Sequence, residues 1–256
     1  MFSGIKAQLK QLFAERTMPQ LEVFVRHCYY SAASAHKGRF PGFSREKCYH
    51  NLLSTIDPSV KVTFFLDTSH AQGEHFLLKQ NRYPVINIKA GTEALSFLTM
   101  LDYVMAHSYD PETIIYFLED DYLHKPEWTK ILREGIALPS VDYVTLFDHK
   151  DKYFLPEYQN LQSQVFHTTS CHWRTTPSTT NTYAMKFKTL KRDVEIHRQY
   201  SLDRKITADH QKFCALAQHN ALLVSSIPGW ATHVEPEFAS PCSDWEQILE
   251  KSSMEK

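Results

Sequence analysis

Three consecutive carboxylates, Glu119-Asp120-Asp121, close an apolar run of β-branched and aromatic residues from Thr113 to Leu118. Such a run reads as a buried strand, so three like charges meet where it reaches the surface. Their repulsion needs a counter-charge. A divalent cation with a diphosphate supplies one, because hard oxygen donors suit Mg²⁺ or Mn²⁺ and these ions keep water and phosphate oxygens as ligands. The structural alternative is that Asp120 and Asp121 cap a helix starting near Pro126, where exposed N–H groups favour acids. A further carboxylate, Asp209, falls in the first turn of a helix expected over Thr207 to His219. Held at a site edge it can take a proton; otherwise Thr207 is the N-cap and Asp209 complements the helix dipole. Asp193 and Asp203 are the alternative proton acceptors if the helix register differs.

The segment from His167 to Asn181 is rich in Thr and Ser and contains Trp173 and Arg174. That mixture suits a sugar: aromatic rings pack on the apolar face of a pyranose and hydroxyl or amide groups read its edge. Trp173, Arg174 and Trp230 are the candidate acceptor-binding residues. Equally, both tryptophans could be core residues under long loops.

These residues must be positioned by regular elements. Ile5, Leu9, Leu12 and Phe13 have helical spacing, giving a peripheral helix within residues 1–18. Leu21 to Val25 and Val62 to Leu66 read as strands separated by a helix near Arg45 to Thr55. Val85 to Ile88 is a third strand, and Thr92 is an N-cap for a helix with Leu95, Leu98, Leu101 and Met105 on one face. Val141 to Phe147 is a further strand, residues 150–182 are irregular, and residues 240–256 form a tail. Strands alternating with helices predict an α/β fold, with a mainly parallel central sheet and helices on both faces. Ligands of such sheets sit beyond the carboxyl ends of the strands. Arg26, His27, Asp67 and Lys89 fall there, with the acidic triplet.

The 256 residues accommodate one large domain. A formal net charge of -1 provides no global field to recruit nucleic acid, and no basic stripe is visible. No run of about 18 apolar residues and no leader pattern occurs, so a chain without a transmembrane segment is expected. Five scattered cysteines without a CxxC pair read as reduced thiols, which fits a cytoplasmic location.

Ile114 to Trp128, IIYFLEDDYLHKPEW, resembles the strand and acidic motif of GT-A glycosyltransferases and is similar to the EDD form in N-acetylglucosaminyltransferase I. The resemblance implies a GT-A (Rossmann-like) fold and metal-dependent, inverting transfer of a sugar from a nucleotide-sugar donor, a UDP-sugar first, to a glycan acceptor. Asp121 would bind Mn²⁺ or Mg²⁺, with His233 returning to the metal near the chain's end and Glu235 as the fallback ligand. Glu119 and Asp120 would contact the ribose, the sugar or the surrounding network. Arg26, His27 and Asp67 would face the nucleotide, and Asp209 would be the base. The rival readings are nucleotidyl transfer, disfavoured by seven glycines and no glycine-rich loop near the first strand, and a non-catalytic sugar-binding relic of the same fold.

Overall fold

The computed structural model describes residues 18–252; the helix expected over residues 5–14 lies outside them. Among the described residues, the strands are β1 (Leu21–Cys28), β2 (Lys61–Asp67), β3 (Val85–Ile88), β4 (Ile114–Glu119), β5 (Tyr122–His124), β6 (Tyr143–Thr145), β7 (Val165–His167), β8 (His172–Thr175), β9 (Tyr183–Lys186), β10 (Leu223–Ile227) and β11 (Ala231–His233). The helices are α1 (Arg45–Thr55), α2 (Glu93–Ala106), α3 (Trp128–Ile136), α4 (Phe187–Gln199), α5 (Asp209–Gln218) and α6 (Trp245–Lys251).

Nine strands form one sheet in the order β3-β2-β1-β4-β9-β6-β10-β8-β7, while β5 and β11 pair separately. Only β8 and β9 run against the others, so seven of the nine strands share one direction. The expected α/β class with a mainly parallel sheet is met. β9, which the sequence pattern left inside an unassigned stretch, slots antiparallel between β4 and β6.

Side chains of a strand alternate between faces, and the core divides accordingly. Val23, Val25, Tyr116 and Leu118 join α1 and α3 on one face, whereas Phe24, Ile115 and Phe117 join α2, α4 and α5 on the other. Each fully buried Leu, Ile or Phe contributes roughly 1.5–3 kcal/mol, so the two faces together set the sheet's position. The predicted cap Thr92 accepts from Leu95 N at 3.2 Å, and Ser44, which the sequence pattern did not single out, caps α1 by accepting from Lys47 N at 3.1 Å. Gly135 of α3 is required by a close approach, since a Cβ there would lie 2.6 Å from the Trp173 ring. Residues 245–251, within the expected tail, form α6, and its Trp245 and Leu249 pack with Phe40, Leu123 and Val234.

The strand order reverses at β1, with β2 and β3 on one side and β4 on the other. α1 and α2, which lead away from and back to this point, lie on opposite faces of the sheet. A crevice forms at such a switch point, beyond the carboxyl ends of β1 and β4. Arg26 to Cys28 and Glu119 to Asp121 are the residues at those two ends.

Candidate active site

The three acids of the triplet point to different partners because successive residues at a strand end alternate. Glu119 lies on the α2 face, where Arg26 reaches it at 3.1 Å through Nη2. Nη1 of the same guanidinium donates to Glu93 Oε1 at 2.7 Å, to the Glu93 carbonyl at 3.0 Å and to Ser96 Oγ at 3.0 Å. Glu93 opens α2, and its other oxygen accepts from Thr207 N at 2.7 Å just before α5. Asn181 donates to Glu93 Oε1 at 2.8 Å, and Lys212 donates to both Asn181 and, at 3.0 Å, Asp209. One bonded chain therefore runs from Glu119 to Asp209 through β1, α2, the start of β9 and α5.

Charge in this chain is unevenly shared. Burial, with Asp121, Glu93 and Asp209 nearby, pushes Glu119 up to about 8 against the pull of Arg26. Burial also opposes ionisation of Glu93, but Arg26 and the donors from Thr207 and Asn181 hold its pKa down. Asp209 is pushed up to about 6 by burial, with Glu93 adding and Lys212 resisting. Lys212, fully buried beside the rings of Phe97 and Tyr183, is itself lowered by burial. A carboxylate near 6 beside fixed cations is poised for proton transfer at neutral pH.

Asp120 and Asp121 make a second group, on the side of the connection after β1. Asp120 accepts from Cys28 N at 3.1 Å and from Arg45 Nε at 2.9 Å. Asp121 accepts from Arg39 Nη2 at 2.9 Å, and His233 Nε2 lies 3.0 Å from the same oxygen. Burial would raise Asp121, yet His233 and Arg39 hold it well below the usual carboxylate range. Pairing of β11 with β5 explains the histidine's return: His233 stands opposite Tyr122, and Val234 N donates to the Asp121 carbonyl at 3.1 Å. Neither aspartate caps α3, whose N-cap is Glu127 without a side-chain bond, so the capping alternative is excluded.

The other expected residues are placed as follows. Arg26 is a buried tie between two glutamates, not a free face for a base. His27 lies under the site on the α1 face, against Phe64 and Phe76, and burial lowers its pKa so that it is neutral. Asp67 spends its carboxylate on its own loop, accepting from Ser69 N and Oγ, and on the connection after β3, accepting from Ala90 N and Gly91 N. Lys89 is exposed at the end of β3. Trp173 is 0% exposed and so offers no face to a sugar; the core reading of it is the correct one. Arg174 binds the buried Asp148 at 2.8 Å under the ring of Tyr153. Trp230 is half-buried beside Lys125, at the far end of β11 from His233. Asp193 is buried against Tyr143, remote from the triplet on α4, and Asp203 occupies an exposed turn. Glu235 pairs with Lys37 at 3.1 Å.

Residues that the sequence pattern did not single out complete the site: Arg39, Arg45, Glu93, Asn181 and Lys212. Lys212 alone carried a readable signal, standing three residues after Asp209 on one helix face. A groove of about 640 Å³ between α2 and α4, lined by Leu95, Leu98, Asp102 and Arg198 among others, lies on the flank and not at the triplet.

Among the described residues no group of three or more His, Cys, Asp and Glu side chains is arranged to hold a metal ion. Asp121 and His233 converge as two donors, and an ion of the Mg²⁺ type completes its shell with phosphate oxygens and water. Among the described residues no helix is long and apolar enough to cross a membrane, and all five cysteines are unpaired.

No protein-family model matches the chain, and no curated protein matches it significantly. Among solved structures, 4-diphosphocytidyl-2C-methyl-D-erythritol synthase from Anaerococcus prevotii aligns over 92% of this chain and 97% of its own, at 10% identity and a TM-score of 0.47. A likeness of that size carries no argument about function.

Proposed function

We propose that the chain acts as one domain and is a metal-dependent glycosyltransferase moving a sugar from a nucleoside-diphosphate donor to an acceptor hydroxyl. One observation carries this reading. At the switch point of the sheet, a buried Asp121–His233 pair follows directly on Glu119, which is linked through Arg26, Glu93, Asn181 and Lys212 to a second carboxylate, Asp209, tuned to about 6.

Asp121 and His233 would hold Mn²⁺ or Mg²⁺, which supplies positive charge against the leaving diphosphate. Arg39 and Arg45 add donors suited to phosphate oxygens. Asp209, ionised above about 6, takes the acceptor hydroxyl proton as that oxygen attacks the anomeric carbon and the bond to the diphosphate breaks. Lys212 keeps the carboxylate oriented from behind. Attack opposite the departing diphosphate inverts the anomeric centre.

Nucleotidyl transfer draws support from one feature, the connection after β1, which brings Lys37, Arg39 and Arg45 to the carboxylates where a triphosphate would be held. The products separate the readings. Incubation with UDP- and GDP-sugars and Mn²⁺ should release nucleoside diphosphate, and EDTA should stop it. Release of pyrophosphate from a nucleoside triphosphate with a sugar phosphate would favour nucleotidyl transfer. Binding of donor without either product would point to a sugar-binding relic, and failure to bind any nucleotide would sink all three.

A further inference from the structure

The position a metal would take between Asp121 and His233 faces a cation of the protein's own. Arg39 Nη2 is 2.9 Å from Asp121 Oδ2, and Arg39 Nη1 is 3.3 Å from His233 Nε2, so one guanidinium spans both donors. Its plane lies over the Phe43 ring, 5.1 Å from the centroid, which holds the side chain in that direction. The same short segment supplies Lys37 to Glu235 and Arg45 to Asp120. Three cations from residues 37–45 thus neutralise three carboxylates around the crevice.

We infer that Arg39 is the resident counter-cation of the Asp121–His233 pair, and that a divalent metal enters only in company with a nucleoside diphosphate, which takes the guanidinium over. The inference rests on the proposed metal site but concerns the order of loading. A buried carboxylate must be paired, so Asp121 keeps Arg39 while no other cation is at hand. A bare metal ion would have to share the Asp121 carboxylate and His233 Nε2 with a guanidinium already on both, and the like charges repel at that separation. A diphosphate removes the conflict, because its oxygens accept bidentate donors from an arginine fork while also binding the metal. Loading is then cooperative, each ligand raising the affinity of the other.

The test is Mn²⁺ binding to the full chain, followed by the spin resonance of free Mn²⁺, with UDP as the diphosphate probe. Wild-type protein should bind Mn²⁺ alone weakly, and Arg39→Gln should bind it more tightly by at least about tenfold. Arg39→Lys, which keeps the charge, should stay near wild type; tightening there equal to that of Arg39→Gln would mean a loosened segment, not lost competition, and would overturn the inference. Saturating UDP should tighten Mn²⁺ in both forms, because its oxygens ligate the metal, but by a clearly larger factor in wild type than in Arg39→Gln. Equal Mn²⁺ affinity in wild type and Arg39→Gln overturns the inference; if Asp121→Asn abolishes that binding, the metal site itself stands. Absence of Mn²⁺ binding in every form, with and without UDP, overturns both.

Discussion

Two charged networks meet at the acidic triplet, and they are built differently. The inner one, from Glu119 through Arg26 and Glu93 to Asp209 and Lys212, is anchored on β1, β4 and the first turns of α2 and α5. Every member of it stands on a strand or helix, or immediately before one. The outer one, linking Asp120, Asp121, His233 and Glu235 to Lys37, Arg39 and Arg45, takes its first two cations from the connection after β1. Inner residues are fixed by packing, so their ionisation is set in advance. Lys37 and Arg39 of the outer network sit on a connection, where partners exchange more readily than on packed elements, as the proposed loading requires.

That contrast predicts where mutations act. The largest effect falls on chemistry at the outer network: Asp121→Asn should lower sugar transfer by about 10³-fold while leaving the melting temperature close to wild type, checked by nucleotide release beside a thermal melt. Equal loss of stability and activity would erase the distinction between the networks. Next, Glu93→Ala should cost about 3 kcal/mol in denaturant unfolding, since it removes the carboxylate that accepts from Arg26, Asn181 and the Thr207 amide, whereas Arg45→Ala, which leaves Asp120 bonded to Cys28 N, should cost less, about 1–2 kcal/mol. Similar values for the two would mean that the inner network is no more structural than the outer.

The third prediction concerns Asp209. Its carboxyl sits near 6, so activity should rise with pH through that value as the base loses its proton, then level off. Asp209→Asn should lower the rate by about 10²-fold and remove that acid limb. An unchanged limb in the variant would assign it to another group. A further effect is on stability, through two buried histidines. His124, buried and pushed down to about 3, and His197, lowered well below its ordinary value by burial, are both neutral in the fold. Their folded pKa values lie below the unfolded one, so the unfolded chain binds more protons as pH falls. Stability contributed by the neutral rings is therefore complete above about pH 6.5 and lost below it, by up to about 1.4 kcal/mol per pH unit for each histidine. Unfolding free energies between pH 7 and 5 check the slope, and His197→Asn should reduce it.

The central strands and the helices between them were legible because each carries its own period. The α1 range, Arg45 to Thr55, and the β3 range, Val85 to Ile88, were readable to the residue, and the run before the triplet declared β4 through burial on both faces. β9 escaped because its pairing between β4 and β6 is a long-range event with no local signature. Trp173 shows the limit for sites: a large ring beside Thr and Ser suits a sugar and suits a core, and only its close packing on Gly135 of α3 decides.

By itself, then, the sequence determined that three carboxylates stand at the end of a buried strand, because apolar runs and charges are local properties of the chain. It also placed Asp209 in the first turn of a helix and His233 near the chain's end. Tertiary structure alone decided the partners. Arg26 and Glu93 are 67 residues apart, Asp121 and His233 112 apart, and Arg39 and His233 194 apart. Contacts of that span arise from how strands are ordered in the sheet and how β11 returns to β5, and no window along the chain contains both members. The same separation decides which carboxylates end up neutralised, which end up poised to take a proton, and which cation waits beside Asp121.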